Sequence, residues 1–275
     1  MTRKTYFGPS TARQQSRFYE IAGHMIQTPQ ASKMAYIVKE INKLMGRAIH
    51  RYGLLEDGDR IMVAVSGGAD SLVMLHFLDK WTQKAPISFH IFPVYLDMGF
   101  GNKDTWHTLQ IHFSRLKLPW HMEETDFGPY AHGKQNRGKS PCFICSLNRR
   151  KRLFELTRAL GCNKIAMGHN LDDLIETFFI NMCYSGEMST MLPRQEMFKG
   201  LITIIRPLAL IEKGKIERAT DILKLPVCKN RCPSVTTSRR QEIRDLLTQL
   251  YSTNKKIRSN LQKALFHIRP EYLPG

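Results

Sequence analysis

Five short strand-like runs, the first of them wholly apolar and all spread over residues 61 to 206, alternate with segments whose apolar residues recur at helical spacing. The runs are Ile61 to Val65, Ile87 to Leu96 (closed by Asp97), Trp120 to Glu124, Lys164 to Met167, and Leu201 to Arg206. Short runs of this kind read as buried strands. Between and after them stand Leu72, Leu75, Phe77 and Leu78, then Trp106, Leu109, Phe113 and Leu116, then Leu153, Leu156 and Leu160, then Ile175, Phe178, Phe179 and Met182, and finally Ile216 to Leu223. Strand followed by helix, repeated, predicts a doubly wound parallel α/β sheet of about five strands.

The flanks carry further helices. Met34, Ile37, Val38, Ile41, Leu44, Met45, Ala48 and Ile49 predict an amphipathic helix over 33–52, capped by Ser32, with Lys39, Lys43, Arg47 and Arg51 on its other face. Residues 238–250 and 255–265 read as basic C-terminal helices. Residues 1–31 read as a loosely structured basic lead-in with a short helix over 19–25. Residues 126–141, with three glycines, two prolines and Lys134, Arg137 and Lys139, read as a mobile basic loop, a flap over substrate or RNA. Ser185 to Pro193 reads as a loop. The expected division is an N-terminal basic segment and helix (1–55), a nucleotide domain carrying the cysteines (56–235), and a helical basic extension (236–275).

Composition narrows the class. A chain of 275 residues with 42% hydrophobic and 24% charged residues can bury one full α/β core. No apolar run reaches the length of a membrane span. Met1 to Gly8 holds no apolar core segment and so does not read as a signal peptide; a cytoplasmic location is expected, with no membrane partner. The net charge of +17 points to a polyanionic partner, RNA or DNA first. Six cysteines in such a chain argue for metal binding or catalysis over disulfides.

The chemistry concentrates at the first strand. Ala64 and Val65 end it, Ser66, Gly67, Gly68 and Ala69 follow without bulk, and Asp70 and Ser71 open a helix. Such a loop offers backbone N–H groups and a helix N-terminus to phosphates, and glycine lets them approach the chain. It lacks the Gly-Lys-Ser/Thr ending of a Walker loop. Leu96 and Asp97, at a strand's carboxyl end, should lie beside the nucleotide. Gly168-His169-Asn170 turns from a second strand into a helix opened by Asp172 and Asp173, at the same sheet edge.

Cys142 and Cys145 stand three apart at a helix start, followed by Arg149 and Arg150. That spacing can point two thiolates at one metal. Cys228 and Cys232 form a second group, able to converge on the same mouth of the sheet. Cys162 and Cys183 read as packed small hydrophobes. Arg239 and Arg240 open a basic C-terminal helix and are candidates, with Arg137, Lys139, Arg149 and Arg150, for contact with RNA.

Ser66-Gly-Gly-Ala-Asp-Ser71 resembles the pyrophosphate loop of the ATP pyrophosphatases. Together with Asp57 to Ile61, Cys142-x-x-Cys145 with Arg149-Arg150, Gly168 to Asp173, and Ile205-Arg-Pro-Leu208, it resembles the tRNA 2-thiocytidine synthetases over residues 35–260. The resemblance implies an adenine-nucleotide α-hydrolase-like fold and tRNA as substrate. ATP–Mg²⁺ would be held by Ser66, Gly67, Gly68, Asp70 and Ser71, with Gly168 and His169 lining the pocket and Asp172 or Asp173 helping with Mg²⁺. It implies adenylation of the C2 oxygen of a pyrimidine, cytidine 32 in the family, then replacement by sulfur from a cysteine desulfurase persulfide or sulfide. It also implies a [4Fe-4S] cluster held by three cysteines, Cys142, Cys145 and a third, with Cys232 favoured and Cys228 the alternative. A homodimer is the expected assembly. Two other readings stay open: another ATP pyrophosphatase, lysidine-type or amidating, with structural zinc, and a zinc-stapled RNA-binding module.

Overall fold

The structure, a computed structural model, describes residues 5–8, 29–101, 103–134, 136, 140–229, 231–234 and 239–272. Arg137, Lys139 and the expected helix over 19–25 lie outside the described residues.

A strand over Asp59–Val65 (β2) is the hub. It pairs in parallel with Phe89–Asp97 (β3) on one side and with Lys164–Met167 (β5) on the other. Trp120–Glu124 (β4) extends the sheet beyond β3, and Ile202–Ile205 (β7) extends it beyond β5, both in parallel. These five strands are the five strand-like runs. Among the described residues the sheet has seven strands because two antiparallel edges flank them, Thr5–Gly8 (β1) on β4 and Arg194–Met197 (β6) on β7.

Both edges correct the sequence reading, and for one reason. Four residues are too few to show alternation, and Arg-Gln-Glu-Met carries little apolar signal. An edge strand is held by its partner's hydrogen bonds, which local pattern does not reveal. Part of the expected flap is also helical: Phe127–His132 (α4) buries Phe127 and Ala131.

Helices cover both sheet faces. Strand alternation sends Ile61, Val63 and Val65 of β2 to one face, where they pack with Ile41 and Met45 of α1 (Pro29–Tyr52) and with Leu72, Leu75 and Leu78 of α2 (Ala69–Thr82). Leu109 and Phe113 of α3 (Lys103–Arg115) and Ile216 of α7 (Lys213–Ile222) complete that core. Met62 and Ala64 point to the other face, against Leu153 and Leu156 of α5 (Pro141–Ala159) and against Cys162. Burial on both faces is why β2 reads as a continuous apolar run. A third cluster joins Leu171 and Ile175 of α6 (Leu171–Ser185) to Ile243 and Leu247 of α8 (Arg239–Thr253), with Leu261 of α9 (Ile257–Ala264) packed against it.

Cys162 is buried, as expected, but Cys183 is exposed. The last turn of α6 runs past the apolar cluster, so Cys183 and Tyr184 face outward although Phe178, Phe179 and Met182 share their helix.

From β2 the chain winds outward through β3 and β4, then returns to lay β5 on the opposite side of β2. The winding reverses between β2 and β5, and a crevice opens there at their carboxyl ends.

Candidate functional site

The loop after β2 is tied into one shape. The Ser71 hydroxyl donates to the Gly68 carbonyl at 2.9 Å, and its oxygen accepts from the Ser66 N–H at 3.1 Å. The Ser66 hydroxyl, 3.2 Å away, is left to donate to Ser71. Gly67 holds φ at 82°, a conformation that favours glycine. Its carbonyl accepts from the Cys228 N–H at 2.9 Å, and a Cβ there would stand 3.3 Å from Cys228 Cβ. Val65 packs in the core with its side chain, which leaves its main chain to the site.

The turn after β5 closes on this loop. A Cβ on Gly168 would lie 3.0 Å from the Ser71 nitrogen, so glycine lets the two turns touch. Asn170 caps α6 reciprocally with Asp173: its Oδ1 accepts from the Asp173 N–H at 3.1 Å, and its own N–H donates to Asp173 Oδ2 at 3.0 Å. Its Nδ2 reaches the first turn of α2 and donates to Asp70 Oδ1 at 2.8 Å. Burial raises the pKa of Asp70, and the Asp173 charge adds to this, while the Asn170 hydrogen bond opposes it.

His169 lines the crevice and is held neutral. Burial and the charges of Arg206, Arg240, Arg149 and Arg150 pull its pKa down to about 3. Arg206 donates from Nε to His169 Nδ1 at 3.3 Å, so the ring's proton sits on Nε2. Arg206 is itself buried, its pKa lowered to about 10 by burial, and it is anchored on the Leu192 carbonyl and on Gln195 Oε1 at 3.3 Å.

On α5, Cys142, Cys145 and Arg149 recur at i, i+3 and i+7, one face of the helix. Below that face Arg152 grips the fully buried Glu123 of β4 with two nitrogens, each at 2.8 Å. These elements enclose a cavity of about 430 Å³. Ala64, Ser66, Asp70, Ser71, Gly168, His169, Arg149, Arg150 and all three favoured cysteines, Cys142, Cys145 and Cys232, line it. Burial raises the Cys145 thiol pKa, the neighbouring Cys232 and Cys142 thiols push the same way, and Arg149 opposes them.

A second cavity, about 200 Å³, flanks the other side of the loop and is lined by Ser66, Gly68, Leu96, Asp97, Thr105, Arg149, Cys228, Lys229 and Arg231. Leu96 and Cys228 therefore line this space and not the one the other cysteines share. Arg149 lines both.

Other candidates lie elsewhere. Asp172 turns to the far side of α6, where Oδ2 accepts from the Lys213 N–H at 2.7 Å and Oδ1 stands 3.4 Å from Arg258. Asp173 pairs with Arg240 at 3.3 Å, and Arg239 stacks over the Tyr184 ring at 4.8 Å, so both arginines serve the α6–α8 contact. Sequence reasoning assigned no role to Asn170, Arg206 or His132, which also lines the larger cavity. For Asn170 a local signal existed, Asn-x-x-Asp at a helix start; Arg206 stood inside the Ile205-Arg-Pro-Leu208 motif without a role of its own, and for His132 there was no signal.

The donor set fits a thiolate-ligated group. Three thiols open on one cavity, and both ring nitrogens of His132 are engaged, Nδ1 with the Gly128 carbonyl at 2.9 Å and Nε2 with Ser234 Oγ at 2.8 Å. Among the described residues no three Cys, His, Asp or Glu side chains form a group that could hold a single metal ion.

A glycine-rich loop and a Gly-His-Asn turn meeting at the switch point of a parallel sheet define an α/β nucleotide-binding protein with a PP-loop. A family model described as "PP-loop domain" matches residues 30–250. The tRNA-cytidine(32) 2-sulfurtransferase of Geobacter sulfurreducens is 35% identical over 237 residues, which span 86% of this chain and 92% of that protein. The protein of the same name from Syntrophotalea carbinolica is 36% identical over 239 residues, with the same coverage. The fold superposes on the U34-tRNA thiolase NcsA from Methanococcus maripaludis, solved with its [4Fe-4S] cluster, with a TM-score of 0.69 at 22% identity over 86% of this chain and 81% of that one. The chain belongs to the PP-loop domain family and, within it, to the family of the tRNA-cytidine(32) 2-sulfurtransferases. Among the described residues no helix is long and apolar enough to cross a membrane.

Proposed function

We propose that this protein is an ATP-dependent tRNA thiolase that adenylates the C2 oxygen of a cytidine, position 32 in the named relatives, and replaces it with sulfur. The observation that carries this reading is the shared cavity: the phosphate loop and three cysteines line one space. The relatives' names supply the substrate class.

The N–H groups of the Ser66–Gly68 loop and the N-terminus of α2 take the β- and γ-phosphates. They stabilise pyrophosphate as the base oxygen displaces it from the α-phosphorus. Asp70, steadied by Asn170 and within the field of Asp173, would hold the Mg²⁺ that accompanies the phosphates. Arg149, lining both cavities, offers its charge to the phosphate that later departs as AMP. His169, neutral with its proton on Nε2, offers a donor that does not change charge with pH near neutrality. Cys142, Cys145 and Cys232 would hold a [4Fe-4S] cluster, which, bound by three thiolates, supplies an open iron for sulfide. The net charge of +17, with Arg150 at the rim, draws the tRNA backbone. A cysteine desulfurase persulfide or sulfide supplies the sulfur, and the working assembly is a homodimer.

The test is direct. Protein reconstituted anaerobically with iron and sulfide is incubated with ATP, Mg²⁺, sulfide and tRNA from a strain lacking this gene. Mass spectrometry of the digested nucleosides should reveal 2-thiocytidine, with AMP and pyrophosphate in equal amounts. Asp70→Ala should abolish tRNA-dependent pyrophosphate release with an unchanged circular dichroism spectrum. Unchanged release in that variant overturns the reading, and a colourless, zinc-bearing anaerobic preparation favours a lysidine-type or amidating synthetase.

A further inference from the structure

We propose that His132 is a positioning residue: through its Nε2 atom it fixes the irregular segment that carries Cys232. The link to sulfur chemistry rests on the thiolase reading above; the link to Cys232 itself does not.

His132 is the last residue of α4. Its Nδ1 stands 2.9 Å from the Gly128 carbonyl oxygen. A carbonyl only accepts, so Nδ1 carries the ring proton and Nε2 is left as an acceptor. The Ser234 hydroxyl, 2.8 Å from Nε2, is then the donor. The other side of the ring meets Phe100 edge-on, with centroids 5.6 Å apart at 77°. Phe100 in turn occupies space that only glycine leaves, since a Cβ on Gly128 would lie 2.3 Å from its Cζ. The Gly128 N–H also donates to the Met98 carbonyl at 2.8 Å. His132 is thereby anchored to the segment that leaves the carboxyl end of β3.

The three cysteines differ in what supports them. Cys142 and Cys145 ride a helix of 19 residues held by Leu153, Leu156 and Arg152. Residues 231–234 lie in neither helix nor strand. Ser234 is two residues past Cys232, and between them stands Pro233, whose ring fixes its own φ and removes slack from the connection. Holding the Ser234 hydroxyl therefore limits where the Cys232 thiol can go. His132 and Cys232 line the same cavity.

Amide side chains separate the two ring nitrogens. The Asn amide reaches about as far as Nδ1 and keeps a donor for the Gly128 carbonyl, whereas the Gln amide reaches about as far as Nε2 and keeps an acceptor for Ser234. Iodoacetamide labelling of the full-length apo protein, followed cysteine by cysteine with peptide mass spectrometry, reads the freedom of each thiol. His132→Asn and Ser234→Ala should each speed Cys232 alkylation roughly fivefold, the factor set by one hydrogen bond in a local opening equilibrium. Cys142 should be unaffected, and His132→Gln should match the wild type. The double variant His132→Asn/Ser234→Ala should be no faster than either single one, because both remove the same bond. After anaerobic reconstitution, His132→Asn and Ser234→Ala should lose iron and visible absorbance faster in air, and His132→Gln should not. Equal Cys232 rates in the Asn and Gln variants, or additive effects in the double variant, overturn the proposal. If alkylation follows the expected order while iron retention is the same in every variant, His132 still positions Cys232, and Cys232 is not a cluster ligand. Should His132→Asn fail to fold, Ser234→Ala decides alone: it must speed Cys232 over Cys142, or the proposal fails.

Discussion

Asn170 Nδ2 donates to Asp70 Oδ1 across 2.8 Å, joining the cap of α6 to the first turn of α2 over 100 residues of chain. One amide thus closes a helix start with its oxygen and holds a phosphate-loop carboxylate with its nitrogen. Asn170→Asp keeps a capping oxygen but sets a second carboxylate against Asp70. The cap should survive, but the like charges should lower the melting temperature, and KM for ATP in tRNA-dependent pyrophosphate release should rise about tenfold or more. Asn170→Ala should lose both, with a stability cost of about 1 kcal/mol from the cap. A melting curve and a KM measurement on the two variants decide this; an Asp variant with unchanged KM would detach Asn170 from the nucleotide site.

Buried histidines make the fold acid-sensitive, His76 and His169 most strongly, with His112 and His121 lowered by burial in the same direction. Burial pulls His76 down to about 4 and His169 down to about 3 from the ordinary 6.5. Between those values and 6.5 the unfolded chain binds protons on both and the native chain does not, so stability rises with pH there and is lost as pH falls below 6.5. Each group contributes a slope of at most roughly 1.4 kcal/mol per pH unit. The urea midpoint should fall from pH 7 to pH 5, and His76→Leu should flatten that fall. An equal fall in the variant would remove His76 from the account.

Affinity for tRNA should drop steeply with salt, because each Lys or Arg contact to a phosphate releases counterions. Arg150 is exposed at the cavity rim, so Arg150→Ala should lower the slope of log affinity against log salt by about 1. Arg239 and Arg240 are engaged with Tyr184, Asp173 and Glu176, so their replacement should cost stability more than salt slope. Titrations at several salt concentrations test both statements.

Cys142, Cys145 and Cys232 line one cavity, while Cys228 lines its neighbour and Cys162 is buried in the core. Cys→Ala at each of the first three should abolish an oxygen-sensitive visible absorption and most of the bound iron after anaerobic reconstitution. Cys228→Ala should keep both but raise KM for ATP, since the Cys228 thiol lines the second cavity beside the loop, where a Cβ on Gly67 would stand 3.6 Å from its Sγ. Full iron content in a Cys142→Ala/Cys145→Ala double variant would sink the sulfur-transfer reading.

The legible parts were those whose signal is local. Ile61 to Val65 announced a central parallel strand because burial on both faces leaves no polar alternation, and Ser66 to Ser71 announced a phosphate loop because its chemistry lies in consecutive N–H groups. Cys142 and Cys145 announced themselves because three residues is one helical turn. Three matters were left to the tertiary structure. Asp172 and Asp173 are neighbours in sequence, yet a helix turns about 100° per residue, so one caps α7 and the other caps its own helix beside Asp70. Cys228 and Cys232 are four apart and neither lies in a helix or strand, and whether each faces the first or the second cavity depends on what holds the chain beside it, Gly67 next to Cys228 and His132 near Cys232. The edge strand β1 exists because β4, far along the chain, offers it hydrogen bonds, with Gly8 opposite Trp120. Local spacing can specify a strand, a helix face or a loop's conformation; contacts between residues far apart in sequence, such as Gly67 with Cys228 or His132 with Ser234, depend on how those pieces pack, and sequence pattern carries no direct record of that.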